Sequence, residues 1–194
     1  MSRALPWLLV VVIAAAIAHV AAVWAVPRAI MHVTWTRMAE TGGTNVARHA
    51  ARATHDSRSV VRPSPDLLYS ICVYDLGAGP LRVSAPVPPD TYWSVSAFAM
   101  NTDNFLVVND RQAGTSVDFI LAGPNAAVEK PEGLSVFVAP GPRGLVLFRT
   151  LVADETRLAA IDEVRRKARC APYAPAPAAT PAPAQKTAVA LLGR

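Results

Sequence analysis

One run near the front of the chain limits its architecture more than any other feature. In residues 4–27, which contain LPWLLVVVIAAAIAHVAAVWAV, the only strongly polar side chain is His19. A helix needs about 20 such residues to cross the hydrocarbon core of a bilayer. A secretory h-region is shorter, about 7–15 residues. A cleaved signal peptide is the rival reading. Arg3 gives a positive start, and Ala16-Ile17-Ala18 has the small-x-small form. The apolar run continues well past that site, which favours an uncleaved, single-pass anchor over residues 1–27. A buried helix of a soluble protein fits less well. Trp7 and Trp24 stand near the two ends, where amphipathic rings favour the interface.

The net charge of +5 is unevenly placed. Residues 28–62 carry six arginines against Glu40 and Asp56, which leaves +4. From residue 63 onward 12 basic and 12 acidic residues cancel, and Arg3 supplies the rest. A basic collar beside a membrane helix attracts anionic head groups, with Arg28 and Arg37 as the expected surface contacts. The collar has no interleaved aromatics and no nucleic-acid module, so a nucleic-acid partner is not expected. Lysine and arginine counts on the two flanks nearly tie and do not orient the span.

After a helical continuation stopped by Gly42-Gly43, residues 44–65 read as a polar lead-in. Short strands follow: LLYSICVYDL, PLRVSAPV, TYWSVSAFAM, FLVV, VDFILAG, LSVFVAP and GLVLFRTLV. Leu81, Val83, Ala85 and Val87 alternate with Arg82 and Ser84 at period two. This pattern predicts a mainly β fold, a small antiparallel β-sandwich or barrel over residues 63–170. DETRLAAIDEVRRKARC changes period and predicts one C-terminal surface helix, with Asp154 at its N-cap and Cys170 at its end. Residues 171–194 form a Pro/Ala-rich tail, expected to be disordered. The two cysteines make neither a disulfide framework nor a zinc site. Cys72 reads as a buried small hydrophobe, and a bridge to Cys170 in an oxidising compartment is the lesser reading.

All four histidines precede residue 63. On that ground a Ser-His-Asp or Cys-His arrangement inside the domain is excluded, and so are histidine-rich metal sites. There is no phosphate-binding loop, no nucleophile elbow and no cofactor fingerprint. The candidate polar set is Asp66, Tyr69, Tyr92, Asn104, Asp110 and Arg111, with Asp103 beside it. Carboxylates of this kind do acid–base work when their environments separate their pKa values. Against that stands turn chemistry: Asn and Asp collect at strand ends because they bond their own backbone.

Pro65-Asp66-Leu67-Leu68-Tyr69-Ser70, Asp75-Leu76, Gly79-Pro80, Ser84-Ala85-Pro86 and Tyr92-Trp93-Ser94-Val95 resemble the pattern of the bacterial "domain of unknown function 1254" family. Ser64, Leu67 and Ala99 stand where that pattern often has Asn, Thr and Asp. The resemblance implies a β-rich envelope protein, placed in the bacterial inner membrane with its domain in the periplasm. Longer members carry a second domain, of unknown-function family 1214, so it also implies a partner chain that supplies that domain. The anchor, the basic collar and the lack of histidine after residue 62 lead to two expected functions, with the first favoured. The first is a membrane-anchored binding or assembly module. The second is an envelope hydrolase or carbohydrate-active enzyme using Asp66, Asp103 or Asp110 with Tyr69.

Overall fold

The apolar run and its basic continuation form one helix, α1 (Ala4–Gly42), in a computed structural model that describes residues 4–58, 62–126 and 133–174. Its large apolar side chains from Leu5 to Val33 are exposed apart from Met31, and the helix is long and apolar enough to cross a membrane. Pro27 removes one backbone donor without ending the helix. Arg28 turns back beside it: Nη1 donates to the Trp24 carbonyl at 2.6 Å, and the guanidinium lies 4.2 Å from the Trp24 ring centroid. The helix stops as its glycines predict. Gly43 takes φ +75°, and its N–H bonds the Ala39 carbonyl at 2.8 Å.

The described strands are β1 (Arg48–His49), β2 (Leu67–Asp75), β3 (Leu81–Pro86), β4 (Trp93–Ala99), β5 (Asn104–Asn109), β6 (Ser116–Ala122), β7 (Ser135–Val138), β8 (Arg143–Leu151) and β9 (Arg169–Pro172). They form two sheets. Sheet A runs β1-β2-β8-β4-β5, and sheet B runs β7-β6-β3-β9. All pairs are antiparallel except β6–β7. Between the sheets, Cys72, Tyr74, Val146, Phe148, Trp93 and Val95 of sheet A meet Leu81, Val83, Val117, Phe119 and Leu121 of sheet B. The Trp93 and Phe148 rings are tilted at 49° with centroids 6.3 Å apart.

A short helix, α2 (Asp110–Ala113), follows β5. A 3₁₀ turn (Glu155–Arg157) and α3 (Leu158–Arg165) follow β8. Asp154 caps the turn as expected, accepting from the Thr156 N–H at 2.9 Å. α3 buries Ile161 against Leu68 and Val152, which stabilises its docking by about 2 kcal/mol.

The architecture departs from the sequence reading in three places. The lead-in is not only a connector: β1 pairs with β2 along the edge of sheet A. Asn45 extends that edge, its side chain bonding the Asp75 carbonyl and N–H at 2.8 and 2.9 Å. The C-terminal helix ends at Arg165 rather than running to Cys170, because the chain turns at residues 166–168 and the open edge of β3 takes β9 as a partner. Cys170 is therefore a strand residue, and β9 carries two residues of the expected tail, Ala171 and Pro172. The tail from residue 175 lies outside the described residues.

Candidate functional site

Alternation sends every second residue of sheet A away from the core. Two outward rows each cross four strands. Tyr69, Arg149, Ser94 and Asn109 are paired in register in one, and Ile71, Leu147, Ser96 and Val107 in the next. Arg149 centres this face. Its Nη2 donates to Ser96 Oγ at 3.0 Å. Its Nε is buried and has no hydrogen-bond partner among the described residues. A buried donor left without an acceptor costs about 1–3 kcal/mol, more when it is charged. The Tyr92 hydroxyl bonds Ser94 Oγ at 3.0 Å on the same face. Around this polar centre Ile71 and Leu147 are half-buried, and Val107 is 49% exposed.

α1 covers only one end of the face. Met31 is buried, and Trp35 Nε1 donates to the Tyr74 carbonyl at 3.1 Å. The Arg143 guanidinium lies 4.8 Å from the Trp35 ring centroid while its Nε holds Asp75 Oδ2 at 2.9 Å. The rows through Arg149 and Leu147 lie further along the strands.

The sequence candidates separate into three places. Tyr69 and Tyr92 lie at the Arg149 row, and the Tyr69 hydroxyl accepts from the Ser64 N–H at 3.0 Å. Asp110 and Arg111 belong to α2. Asn109 caps that helix with a reciprocal Gln112 bond, and Asp110 Oδ1 accepts from the Trp93 N–H at 3.3 Å. Asn104 opens β5 at its other end, about 16 Å from Asn109 at 3.3 Å per residue. Asp103 closes the turn before it, bonded to Asn101 Nδ2 at 2.5 Å. Asp66 is exposed just before β2. Three strand spacings, about 14 Å, separate its backbone from that of Asp110. Carboxylates that share glycosidic chemistry stand about 5–9.5 Å apart. The face therefore gathers Tyr69 and Tyr92 with Arg149, Ser94 and Ser96. The period-two placing of Ser94 and Ser96 in WSVSAFA was the available signal for the serines.

A second polar cluster corrects the exclusion of histidine from the domain. His49, in β1, places Nδ1 2.9 Å from Ser70 Oγ. Ser70 is fully buried, and Arg165 Nη1 reaches its hydroxyl at 3.5 Å and the Tyr69 carbonyl at 2.6 Å. Burial, then the charges of Arg165, Arg166 and Arg169, holds the His49 pKa below its ordinary value. The imidazole Nδ1 and the Ser70 hydroxyl share one hydrogen bond, and that hydroxyl also accepts from Arg165. The arrangement joins β1, β2 and α3 and keeps Ser70 closed to solvent.

Beside it lies an open cleft of about 410 Å³ between α3 and the start of β2, lined by Arg52, Leu68, Glu155, Leu158, Asp162 and Arg165. Its charges are mutually paired. Arg52 holds Glu155 at 2.6 and 2.7 Å, which keeps the Glu155 carboxyl below its usual range. Burial alone would raise Asp162, but hydrogen bonds from Arg166 and Arg165 outweigh it and hold the carboxyl low.

Residues 44–172 match the family described as "Protein of unknown function (DUF1254)". The chain belongs to that family. The DUF1254 match begins just past the end of α1 and ends at the last residue of β9, so it contains both sheets and α3 but not the apolar helix. Among solved structures, the VPA0106 protein from Vibrio parahaemolyticus is similar in fold, with a TM-score of 0.59 at 15% identity over 86% of this chain. The chain spans 42% of that protein's length. A putative uncharacterized protein from Burkholderia cenocepacia is a weaker likeness, with a TM-score of 0.44, 17% identity, 66% of this chain and 34% of the other. No curated protein matches.

Proposed function

We propose that this DUF1254 chain is a single-pass, membrane-anchored assembly module of the bacterial inner membrane, and that its β-domain faces the periplasm and holds a partner chain on the outer face of sheet A. The observation that carries the reading is the half-apolar outer face of sheet A, centred on the half-exposed Arg149, whose Nε has no hydrogen-bond partner among the described residues. A partner with an apolar surface would cover Ile71, Leu147 and Val107, and a carbonyl or carboxylate oxygen on it would meet the half-exposed Arg149 guanidinium. The partner expected from the family resemblance is a chain like the second domain of longer members. The periplasmic placement rests on the resemblance to envelope proteins, and the anchor on α1. The carboxylate-enzyme reading has less support, because Asp66 and Asp110 stand three strand spacings apart and Asp103 lies at the far end of β5.

The test is co-purification of the full chain, tagged after Arg194 and extracted in mild detergent, with partners identified by mass spectrometry. A stoichiometric partner is expected, and Val107→Glu or Arg149→Met should release it without lowering the melting temperature by more than about 5 °C. A chain that purifies alone would refute the assembly reading. A reporter enzyme fused after Arg194 that works only in the cytoplasm would refute the placement.

A further inference from the structure

Cys72 and Cys170 enter one layer of the core from opposite sheets. Cys72 stands on the inner face of β2, in register with Val146, and Cys170 on the inner face of β9, in register with Val83. Strand order brings them together. β9 is the edge of sheet B, and the chain leading into it crosses the β1–β2 side of sheet A. Arg165 marks the crossing, since it bonds the carbonyls of Ala50 and Tyr69 at 3.1 and 2.6 Å shortly before β9 begins. Packed sheets lie about 10 Å apart on average, which is too wide for a disulfide; bridged Cα atoms stand about 4.4–6.8 Å apart. Here the two cysteines share one buried cluster, and the Cys72 thiol is near enough to act on that of Cys170. Both are free in this structure, at 0% and 6% exposure.

We propose that Cys72 and Cys170 are an inter-sheet disulfide site, closed while the domain folds by exchange with an oxidised dithiol carrier. One cysteine thiolate attacks the carrier's disulfide and releases one carrier thiolate. The other cysteine thiolate attacks the protein-side sulfur of that mixed disulfide and releases the second. The two protein thiols thus give up two protons and two electrons, and the carrier leaves as a dithiol. Burial and the neighbouring Cys72 thiol push the Cys170 thiol well above its ordinary value, so the folded domain exchanges slowly once its core has closed. The bridge would tie β9, the last described strand, to β2 and enclose a loop of about 100 residues, a length at which cross-links constrain the unfolded chain strongly.

Use of the site in the cell rests on the periplasmic placement; the geometry does not. The test uses the full chain in two cell cultures, one untreated and one given the membrane-permeant thiol oxidant diamide during synthesis. Thiols are then trapped in denaturant with a maleimide polymer. The expected result is no polymer added in either culture, two added after reduction, and a Cys72–Cys170 linked peptide on mapping. A bridge found only with diamide upholds the site and overturns the placement. Free thiols, or only intermolecular disulfides, in both cultures overturn the proposal.

Discussion

Gly144 is the position at which one methyl group should be felt most. It is the second residue of β8, paired with Tyr74 on one side and Ala99 on the other. A Cβ built there would stand 2.1 Å from the Phe98 carbonyl oxygen, 2.4 Å from the Tyr74 hydroxyl and 2.6 Å from Tyr74 Cζ. Tyr74 is fully buried, burial pushes its hydroxyl pKa up, and that hydroxyl donates to the same Phe98 carbonyl at 3.3 Å. Gly144→Ala therefore forces a backbone carbonyl and a core ring apart. Overpacking costs about 1–3 kcal/mol. A buried hydroxyl stripped of its acceptor costs about 1–3 kcal/mol more. The smaller unfolded-state entropy of alanine returns about 0.4–1 kcal/mol. The net loss is about 1–5.5 kcal/mol, a fall in melting temperature on the order of 10 °C for a domain of this size. Gly141 is the matched control, since a Cβ there meets nothing within 4 Å. Gly141→Ala should leave stability unchanged or raise it by up to about 1 kcal/mol. Thermal unfolding of both variants in the same detergent decides the matter. A Gly144→Ala protein melting within about 2 °C of the parent would show that the Tyr74 contact is not the constraint described.

Three further outcomes follow from the polar clusters and the helix dock. His49 has its pKa held below 6.5 by burial and then by the neighbouring arginines, so the unfolded chain binds its proton more readily. Stability should be complete above pH 6.5 and drain as pH falls below it towards the folded value. The carboxyls held low, Asp162, Asp154 and Glu155, act only below about pH 4. A melting temperature that still falls between pH 6.5 and 5 in His49→Gln would rule out this assignment. Arg165→Met removes a 3%-exposed cation from Asp162 and from the Ala50 and Tyr69 carbonyls, and should cost about 3 kcal/mol, read as a lower urea midpoint at constant slope. Trp35→Phe deletes the bond to the Tyr74 carbonyl, worth about 1 kcal/mol, and should speed proteolysis after Gly43 about fivefold; an unchanged rate would mean that α1 is held by other contacts.

What could be read from the chain followed the strength of its periodic signals. The apolar run, the alternation of Leu81, Val83 and Ala85, and the Asp154 cap each state a local rule, and each lies where the rule placed it. β1 and β9 are two and four residues long, too short for a period. Both are strands only because an edge of β2 or β3 offers backbone partners. That is also why His49 passed for a linker residue and Cys170 for the end of a helix. The Arg149 face was hidden for a related reason. Arg149, Ser94 and Tyr69 lie in three separate segments of sequence, and only register sets them in one row. Asn109 and Asp110 were legible as turn chemistry because their bonds run to close neighbours or to the adjoining strand.

The unbroken course of α1 also sets a height. Residues 28–42 continue as helix past the apolar run, about 22 Å at 1.5 Å per residue. Trp35 and Met31 clamp that stretch to the Asp75–Arg143 end of sheet A. Were α1 anchored in the bilayer, as we propose, the domain would ride on a short, stiff post rather than swing on a tether. The Arg149 face would then sweep one narrow layer above the lipid. A partner that is itself membrane-bound would search for it in two dimensions, at a matching altitude. A freely diffusing one would have to find that same thin layer from the bulk.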